Sequence, residues 1–312
     1  MAKVFLTGGS GFLGRYLIGA LKDNGAEVFA LARSAASAEI VARRGAMPIA
    51  GDLDADGPWT KALGDCQMVL HGAALLVPFA PYKDFFAANV LGTRRVLSAA
   101  QRSGARRFVQ IGAAAVVMGA PRPMRDVDET AALQTPAFAP YIATKAIAER
   151  EIRAASRDGF DAMVVRPPAI WGEGSHLAAS LREALDKGQF ALIDQGRAVM
   201  STCHAANVAA GALAALGKGR GGEAYFLADA GTTTFRAFAS AMVGAEALKG
   251  VRSFPFWAAW QIGGLQQQMA NWGLIKNPAI TRQLLRLIGK DFTISTAKAR
   301  RELGWTPAAH SI

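Results

Sequence analysis

Tyr141-Ile142-Ala143-Thr144-Lys145 sets a phenol and an amine four residues apart, directly after Pro140. On a helix, side chains at i and i+4 share one face, one turn apart. An ammonium beside a phenol favours the tyrosinate and draws its pKa from about 10 toward the range of a working proton carrier. Such a tyrosine gives a proton to a carbonyl oxygen as hydride reaches the carbon, or takes one from an alcohol in the reverse direction. The lysine can also bond a ribose and so hold a nucleotide in place. A surface tyrosine and lysine at this spacing would mean nothing. The pair gains weight from its place on a helix that follows an apolar strand.

Thr7-Gly8-Gly9-Ser10-Gly11-Phe12-Leu13-Gly14 is the second group. It ends one apolar strand and opens a helix, the context a phosphate-binding turn needs. Gly8 permits the tight turn, Gly11 lets backbone approach a pyrophosphate, and Gly14 lets helix and strand pack closely. The free N–H groups and positive dipole of the helix N-terminus then face the phosphates. Gly8, Ser10, Gly11, Phe12, Leu13 and Gly14 are therefore the expected dinucleotide contacts. The next strand, Val28 to Ala32, ends in Arg33-Ser34, and no acid follows until Glu39. A carboxylate there would hold a ribose 2′-hydroxyl, whereas an arginine bonds a 2′-phosphate. Arg33, assisted by Arg15, thus predicts NADP(H) rather than NAD(H).

The spacing Gly-x-x-Gly-x-x-Gly, together with Tyr-x-x-x-Lys, resembles the extended short-chain dehydrogenase/reductase superfamily, and the resemblance covers nearly the whole chain. It extends through Asp52-Leu53, His71-Gly72-Ala73-Ala74, Asn89-Val90-Leu91-Gly92-Thr93, Arg166-Pro167-Pro168-Ala169-Ile170-Trp171-Gly172, Cys203 to Val208, and the closing Ala299 to Pro307. The resemblance implies that Asp52 and Leu53 meet the adenine and that Ala73 passes close to the dinucleotide. It implies that Pro168 flanks the nicotinamide, Asn89 supports the site through backbone bonds, and Asn207 caps a helix. His71 reads as a packed strand-end histidine. Trp171 reads equally as a pocket wall or as core. A homodimer through the helices 84–103 and 141–157 is also implied by the family. One departure stands out: the family places a Ser or Thr after the fifth strand, and Ile111 to Gly119 contains neither, with Ala114 at the expected position. Loss of such a donor typically removes about 3 kcal/mol of transition-state stabilisation.

The elements that must carry these residues are short apolar runs alternating with helical periodicity. Strands are predicted at 3–7, 27–32, 47–50, 68–71, 108–111 and 162–166, with helices at 12–24, 36–44, 84–103 and 141–157. That alternation requires right-handed crossovers and a parallel sheet, a Rossmann-like doubly wound α/β fold. Residues 1–170 form the expected NADP-binding domain, with 198–217 returning to it. Residues 171–312 form a smaller C-terminal substrate-binding lobe, with a helix at 176–187, strands at 190–193 and 224–227, a helix at 207–217 and a helical tail.

Composition narrows the reading further. The 312 residues are 51% hydrophobic and 19% charged, a globular chain and not a disordered one. Cys66 and Cys203 read as free thiols without metal-ligand spacing. The N-terminus lacks a signal-type apolar stretch, so a cytoplasmic address is expected. The net charge of +11 comes from scattered pairs such as Arg43-Arg44 and Arg106-Arg107, not from a nucleic-acid reading motif. No charge occurs from Ser253 to Ile275, where Phe254, Phe256, Trp257, Trp260 and Trp272 mix with glutamines. That stretch is too polar to span a membrane. Core packing, a greasy pocket wall and peripheral membrane contact are its open readings. The expected activity is hydride transfer between NADP(H) and a secondary alcohol or ketone on a bulky, sterol-like substrate. The alternatives are a nucleotide-sugar epimerase or dehydratase, which would need Arg252, Arg282 and Arg286 to grip a diphosphate, and a non-catalytic NADP(H) sensor, suggested by Ala114.

Overall fold

The computed structural model describes residues 2–310. In chain order the first half contains β1 (Lys3–Thr7), α1 (Phe12–Asp23), β2 (Glu27–Ala32), α2 (Ala35–Arg43), β3 (Met47–Ala50), α3 (Trp59–Leu63), β4 (Met68–His71), α4 (Tyr82–Phe86), α5 (Gly92–Ser103), β5 (Arg107–Ile111), β6 (Met124–Val127), α6 (Pro140–Ala154) and β7 (Asp161–Arg166). There follow β8 (Ala169–Trp171), α7 (Leu177–Asp186), β9 (Leu192–Ile193), β10 (Val199–Met200), β11 (Thr202–His204), α8 (Ala205–Lys218), β12 (Ala224–Phe226), β13 (Thr233–Thr234), α9 (Phe235–Val243), β14 (Ser253–Phe254), α10 (Phe256–Asn271), α11 (Arg282–Ile288), β15 (Phe292–Ile294) and α12 (Ala297–Leu303).

Seven strands make one sheet in the order β12-β7-β5-β4-β1-β2-β3, every neighbouring pair parallel. This is the expected doubly wound sheet. Its central strands are buried on both faces, which is why they read as unbroken apolar runs such as Val4-Phe5-Leu6. One face packs Leu17, Ile18 and Leu21 of α1 with Val208 and Ala212 of α8. The other packs Val96 and Ala100 of α5 with Trp59, Phe108 and Ile152. The strand order reverses between β1 and β4, and at such a point the C-terminal ends of the strands open a crevice where these sheets bind ligands.

The predicted single helix over 84–103 is three pieces. Between α4 and α5 the turn widens into a π-helical segment at Ala87–Leu91. The widening carries Asn89 inward, where its amide and carbonyl reach the site described below, and π-bulges recur where a helix must present such groups. The predicted strand at 190–193 shrinks to Leu192–Ile193. In the second half β8 pairs with β11, and β13-β10-β15-β6 form a small sheet that joins a segment ahead of α6 to the chain's last strand.

Candidate active site

At the end of β1 three glycines do different work. Gly8 has φ +80°, and a Cβ there would sit 2.8 Å from the carbonyl carbon of Gly72 and 2.9 Å from Ala73 N. Conformation and crowding both demand glycine. A Cβ on Gly14 would collide with the Gly8 and Gly9 carbonyl oxygens, so helix and turn touch there. Gly11 differs. Its Cβ would meet only the Gly8 oxygen, at 3.4 Å, an ordinary contact. Nothing within the protein fills the space beside Gly11, which leaves its backbone open to a group from outside. Gly11 is also the N-cap of α1, and no side chain caps that helix end. The turn and the uncapped N-terminus fit a dinucleotide pyrophosphate.

Arg44, noted in the sequence only as part of a basic pair, braces the turn. It donates to Gly9 O at 2.6 Å and Gly11 O at 2.8 Å. Partial burial, with Arg15 nearby, pulls its pKa below the usual arginine value. Two cations therefore flank the glycine turn. Arg15 is paired loosely with Glu173 at 3.3 Å, and both are exposed. Arg33 stands exposed at the end of β2, ahead of Ser34, which caps α2 through a capping box with Ser37. Glu39, the first acid after it, is taken up by Arg43 at 2.7 Å. Asp52 is exposed past β3, its carboxylate accepting from Asp54 N at 3.3 Å, while the Leu53 carbonyl takes a bond from Arg95 at 2.8 Å.

A chain of buried hydrogen bonds fixes the loop after β4. Ala73 N donates to Thr7 Oγ1 at 3.1 Å, and that hydroxyl lies 2.6 Å from His71 Nδ1. His71 Nε2 lies 2.9 Å from Thr93 Oγ1, which donates its single proton to Asn89 O at 2.7 Å. Thr93 must then accept from Nε2–H, so His71 is the Nε2-protonated neutral tautomer and Thr7 donates to Nδ1. Burial, and after it Lys145, push the imidazole pKa down to about 3. His71 is a structural joint. Asn89 continues the joint: its Oδ1 accepts from Leu75 N at 2.8 Å, and its Nδ2 donates to Leu75 O and to Thr144 Oγ1, both at 3.3 Å.

Tyr141 and Lys145 lie on α6, both buried. Pro140 starts the helix, and Gln283 Oε1 accepts from Tyr141 N at 2.7 Å, so a residue of α11 seats the first turn of α6. Lys145 Nζ donates to Ile111 O at 2.8 Å, at the end of β5. Beyond β5 the chain forms a short 3-10 strap, Ala114–Val117, fully apolar and buried. Ala114 N bonds Pro167 O at 2.8 Å, which ties the strap to the Pro167-Pro168 turn after β7. Ala114 is thus locked in place, and among the described residues no hydroxyl side chain bonds the Tyr141 phenol. The expectation that Lys145 draws the phenol pKa down is corrected in this state. Burial is the governing cause, and it pushes Tyr141 up to about 12. Burial also pulls Lys145 down to about 8, partly opposed by Glu149.

The residues from 4 to 228 match the NAD dependent epimerase/dehydratase family. This chain belongs to that family. Among curated relatives, it is 38% identical over 309 residues to 4-hydroxy-2-methyl-3-oxo-4-farnesyl-3,4-dihydroquinoline-1-oxide ketoreductase of Stigmatella aurantiaca, covering 97% of this chain and 91% of that one. It is 30% identical over 320 residues to a decarboxylating sterol-4-alpha-carboxylate 3-dehydrogenase of Dictyostelium discoideum, covering 98% and 96%. In fold it resembles a dTDP-glucose 4,6-dehydratase from Streptomyces venezuelae, with TM-score 0.75 and 22% identity over 99% of this chain and 92% of that one.

Several residues of this epimerase/dehydratase family member carry structural weight that no motif announced. Glu149, one turn beyond Lys145, is fully buried and holds Arg166 through both carboxylate oxygens. The signal for Glu149 in the sequence was only the i, i+4, i+8 stripe of Tyr141, Lys145 and Glu149. Asp229, equally silent, gathers Trp171 Nε1 at 2.7 Å, His204 N at 2.8 Å and Asn207 Nδ2 at 2.7 Å. Trp171 is buried with Leu192, Met200, Phe235 and Phe238, so it belongs to the hydrophobic core that β8, β9, β10 and α9 share. Asn207 does not cap α8. His204 does, accepting from Ala206 N, while Asn207 clamps Ala308 through two bonds of 2.9 Å.

Proposed function

We propose that this chain is an NADP(H)-dependent oxidoreductase that interconverts a ketone and a secondary alcohol on a bulky apolar, sterol-like molecule. The observation that carries the reading is the buried Tyr141–Lys145 pair, set under an apolar strap beside the crevice that the glycine turn opens. The nicotinamide, when bound, supplies or takes the hydride. Every other part falls to the chain. The bare Gly11 backbone and the α1 N-terminus take the pyrophosphate, with Ser10, Phe12 and Leu13 at its edge. Arg33 and Arg15 take the 2′-phosphate, Asp52 and Leu53 the adenine, and Ala73 and Pro168 line the route to the nicotinamide. Lys145 holds the ribose and presents positive charge to the developing oxyanion. Tyr141, kept protonated by burial, gives its proton to the carbonyl oxygen. Burial keeps the phenol protonated at neutral pH, the form from which a proton can pass to a carbonyl oxygen.

Apolar side chains surround the phenol: Phe85 lies 6.3 Å away edge-on, and Leu75, Val77 and Phe138 pack in the same cluster. A bulky apolar substrate suits these walls, in keeping with the farnesyl and sterol substrates named for the two relatives. Two of the three arginines a diphosphate-gripping enzyme would need, Arg282 and Arg286, are occupied otherwise. Arg282 lies over Trp260 and bonds its carbonyl, and Arg286 is buried against Gly119 O.

The test is titration of the protein with NADPH and NADH, then turnover against ketones of rising size, for wild type and Tyr141→Phe. Tighter NADPH binding, turnover that rises with apolar bulk, and a loss of about a thousandfold in the variant are expected. NADPH binding without turnover of any ketone by wild type would instead make the chain a cofactor sensor.

A further inference from the structure

We infer that the outer face of α10 docks on an anionic lipid surface, with the helix lying in the plane of the interface. The outer side of this helix carries Trp257, Gln261, Leu265, Gln268 and Trp272, spaced by three or four residues and hence aligned along one face. Trp257 is 72% exposed, Leu265 62% and Trp272 66%, and Ile262 and Leu274 join them. The face is about 22 Å long from the first tryptophan to the second, at the helical rise per residue. Tryptophans at both ends, with Ile262, Leu265 and the uncharged Gln261 and Gln268 between them, suit a helix at a water–lipid boundary.

The stripe cannot roll inward. Phe256, Ala259 and Gly263 are buried on the opposite side, and a Cβ on Gly263 would meet Leu285 at 3.0 Å and the Thr281 backbone at 3.2 Å. Gln266 and Gln267 are also committed: Gln266 accepts from Ile280 N at 3.1 Å, and Gln267 bonds Phe138 O at 3.0 Å and Arg282 N at 3.2 Å. The polar residues that make the segment look unsuited to lipid are thus partly spent on the inner side.

Charge selects the occupant. No charged residue lies between Ser253 and Ile275, and the exposed cations Arg252 and Lys276 flank the helix at its two ends. The chain as a whole carries +11. Two copies meeting through this face would bring like charges together, whereas anionic headgroups complement both the flanking cations and the net charge. Among the described residues no helix is long and apolar enough to cross a membrane, so contact stays in the interface.

The inner side of the same helix reaches the approach to Tyr141. The Trp260 ring packs edge-on against Phe138 at 5.1 Å, three residues before Tyr141. Leu76 is exposed between Leu75 and Val77, which pack in the cluster that holds Tyr141. On the reading of an apolar substrate, a molecule dissolved in lipid would enter beside α10 without crossing water. The docking itself does not depend on that reading, because it needs neither cofactor nor turnover.

The experiment is flotation of the full chain, without cofactor, with vesicles of phosphatidylcholine alone or mixed with phosphatidylglycerol, for wild type and Leu265→Glu. Melting temperature and NADPH binding check that the variant folds as wild type does. Wild type should float with the mixed vesicles, and the variant should lose about tenfold in apparent affinity. Bromine-labelled acyl chains should quench the fluorescence of Trp257 and Trp272, and Trp257→Phe with Trp272→Phe should remove that quenching. Absence of wild-type flotation, or flotation equal in Leu265→Glu, overturns the inference. So does a dimer in sedimentation velocity that Leu265→Glu abolishes while vesicles go unbound, which would make the face a contact between copies.

Discussion

The ends of β1 and β4 and the strap over Tyr141 are both dry, yet they use dryness in opposite ways. At the strand ends, Thr7, His71, Thr93 and Asn89 meet one another or nearby backbone, and each hydroxyl both donates and accepts. Around the strap the walls are alanine, valine and phenylalanine, and among the described residues no side-chain hydroxyl bonds the Tyr141 phenol. Loss of water is the leading cause of the shift at each of three groups here, His71 down to about 3, Tyr141 up to about 12 and Lys145 down to about 8. Only the last two groups keep bonding capacity to offer a ligand. A perturbed pKa marks chemistry where polar atoms remain unspent, and marks architecture where they are used up.

The comparison breaks first at His71. His71→Leu leaves the Thr7 hydroxyl without its acceptor and removes the donor to Thr93, so a loss of about 3 kcal/mol in unfolding free energy is expected. Chemical denaturation at neutral pH reads it. Wild type should also weaken in acid. An unfolded histidine takes a proton near pH 6.5, whereas the folded one resists until about 3. Between those values the unfolded chain binds the extra proton, so stability falls as pH falls. In His71→Leu that contribution to the slope should vanish; an unchanged slope would mean that His71 is not held neutral.

The next largest effect belongs to Lys145. Reduction requires its ammonium, which is present below about 8, and the Tyr141 phenol, which is present below about 12. kcat/KM for ketone reduction should therefore be flat through neutrality and fall about tenfold per pH unit above 8. Glu149, the buried anion that opposes the shift, sharpens the test. Glu149→Gln should move the break to lower pH, a displacement that mere loosening of α6 would not produce.

Much of this was legible in the sequence, for physical reasons that also explain the gaps. β1, β2 and β4 begin and end where expected, because strands buried on both faces must be short unbroken apolar runs closed by glycine or polar turns; β3, an exposed edge strand, matches its expected bounds as well. The glycine turn and the Tyr–Lys pair were legible because local spacing alone dictates them. Arg44 was not, since its partners are the carbonyls of Gly9 and Gly11, which leave no pattern in the side chains. Asp229 was hidden for a similar reason: its partners Trp171, His204 and Asn207 lie 22 to 58 residues away. The π turn at Ala87–Leu91 interrupts a helix whose composition is helical throughout, so only the demand that Asn89 reach Leu75 and Thr144 reveals it. β6 and β15, four and three residues long, become strands only by pairing across the fold, β6 with β15 and β15 also with β10.

The smallest expected effect tests the strap itself. Ala114 is fully buried, and its N–H is tied to Pro167 O, so a serine there adds one oxygen to a backbone already fixed. A donor present only when negative charge develops lowers the barrier, while a buried hydroxyl with no partner raises the energy of the resting protein. In Ala114→Ser these act on different measurements. Stability should fall by about 1 kcal/mol, and kcat for ketone reduction should rise by up to about tenfold with KM little changed. A gain in kcat would identify Ala114 as the vacant donor position and the apolar strap as a restraint on rate. A lower stability with kcat unchanged would show that the carbonyl oxygen lies elsewhere along Tyr141, held by the phenol and Lys145 alone.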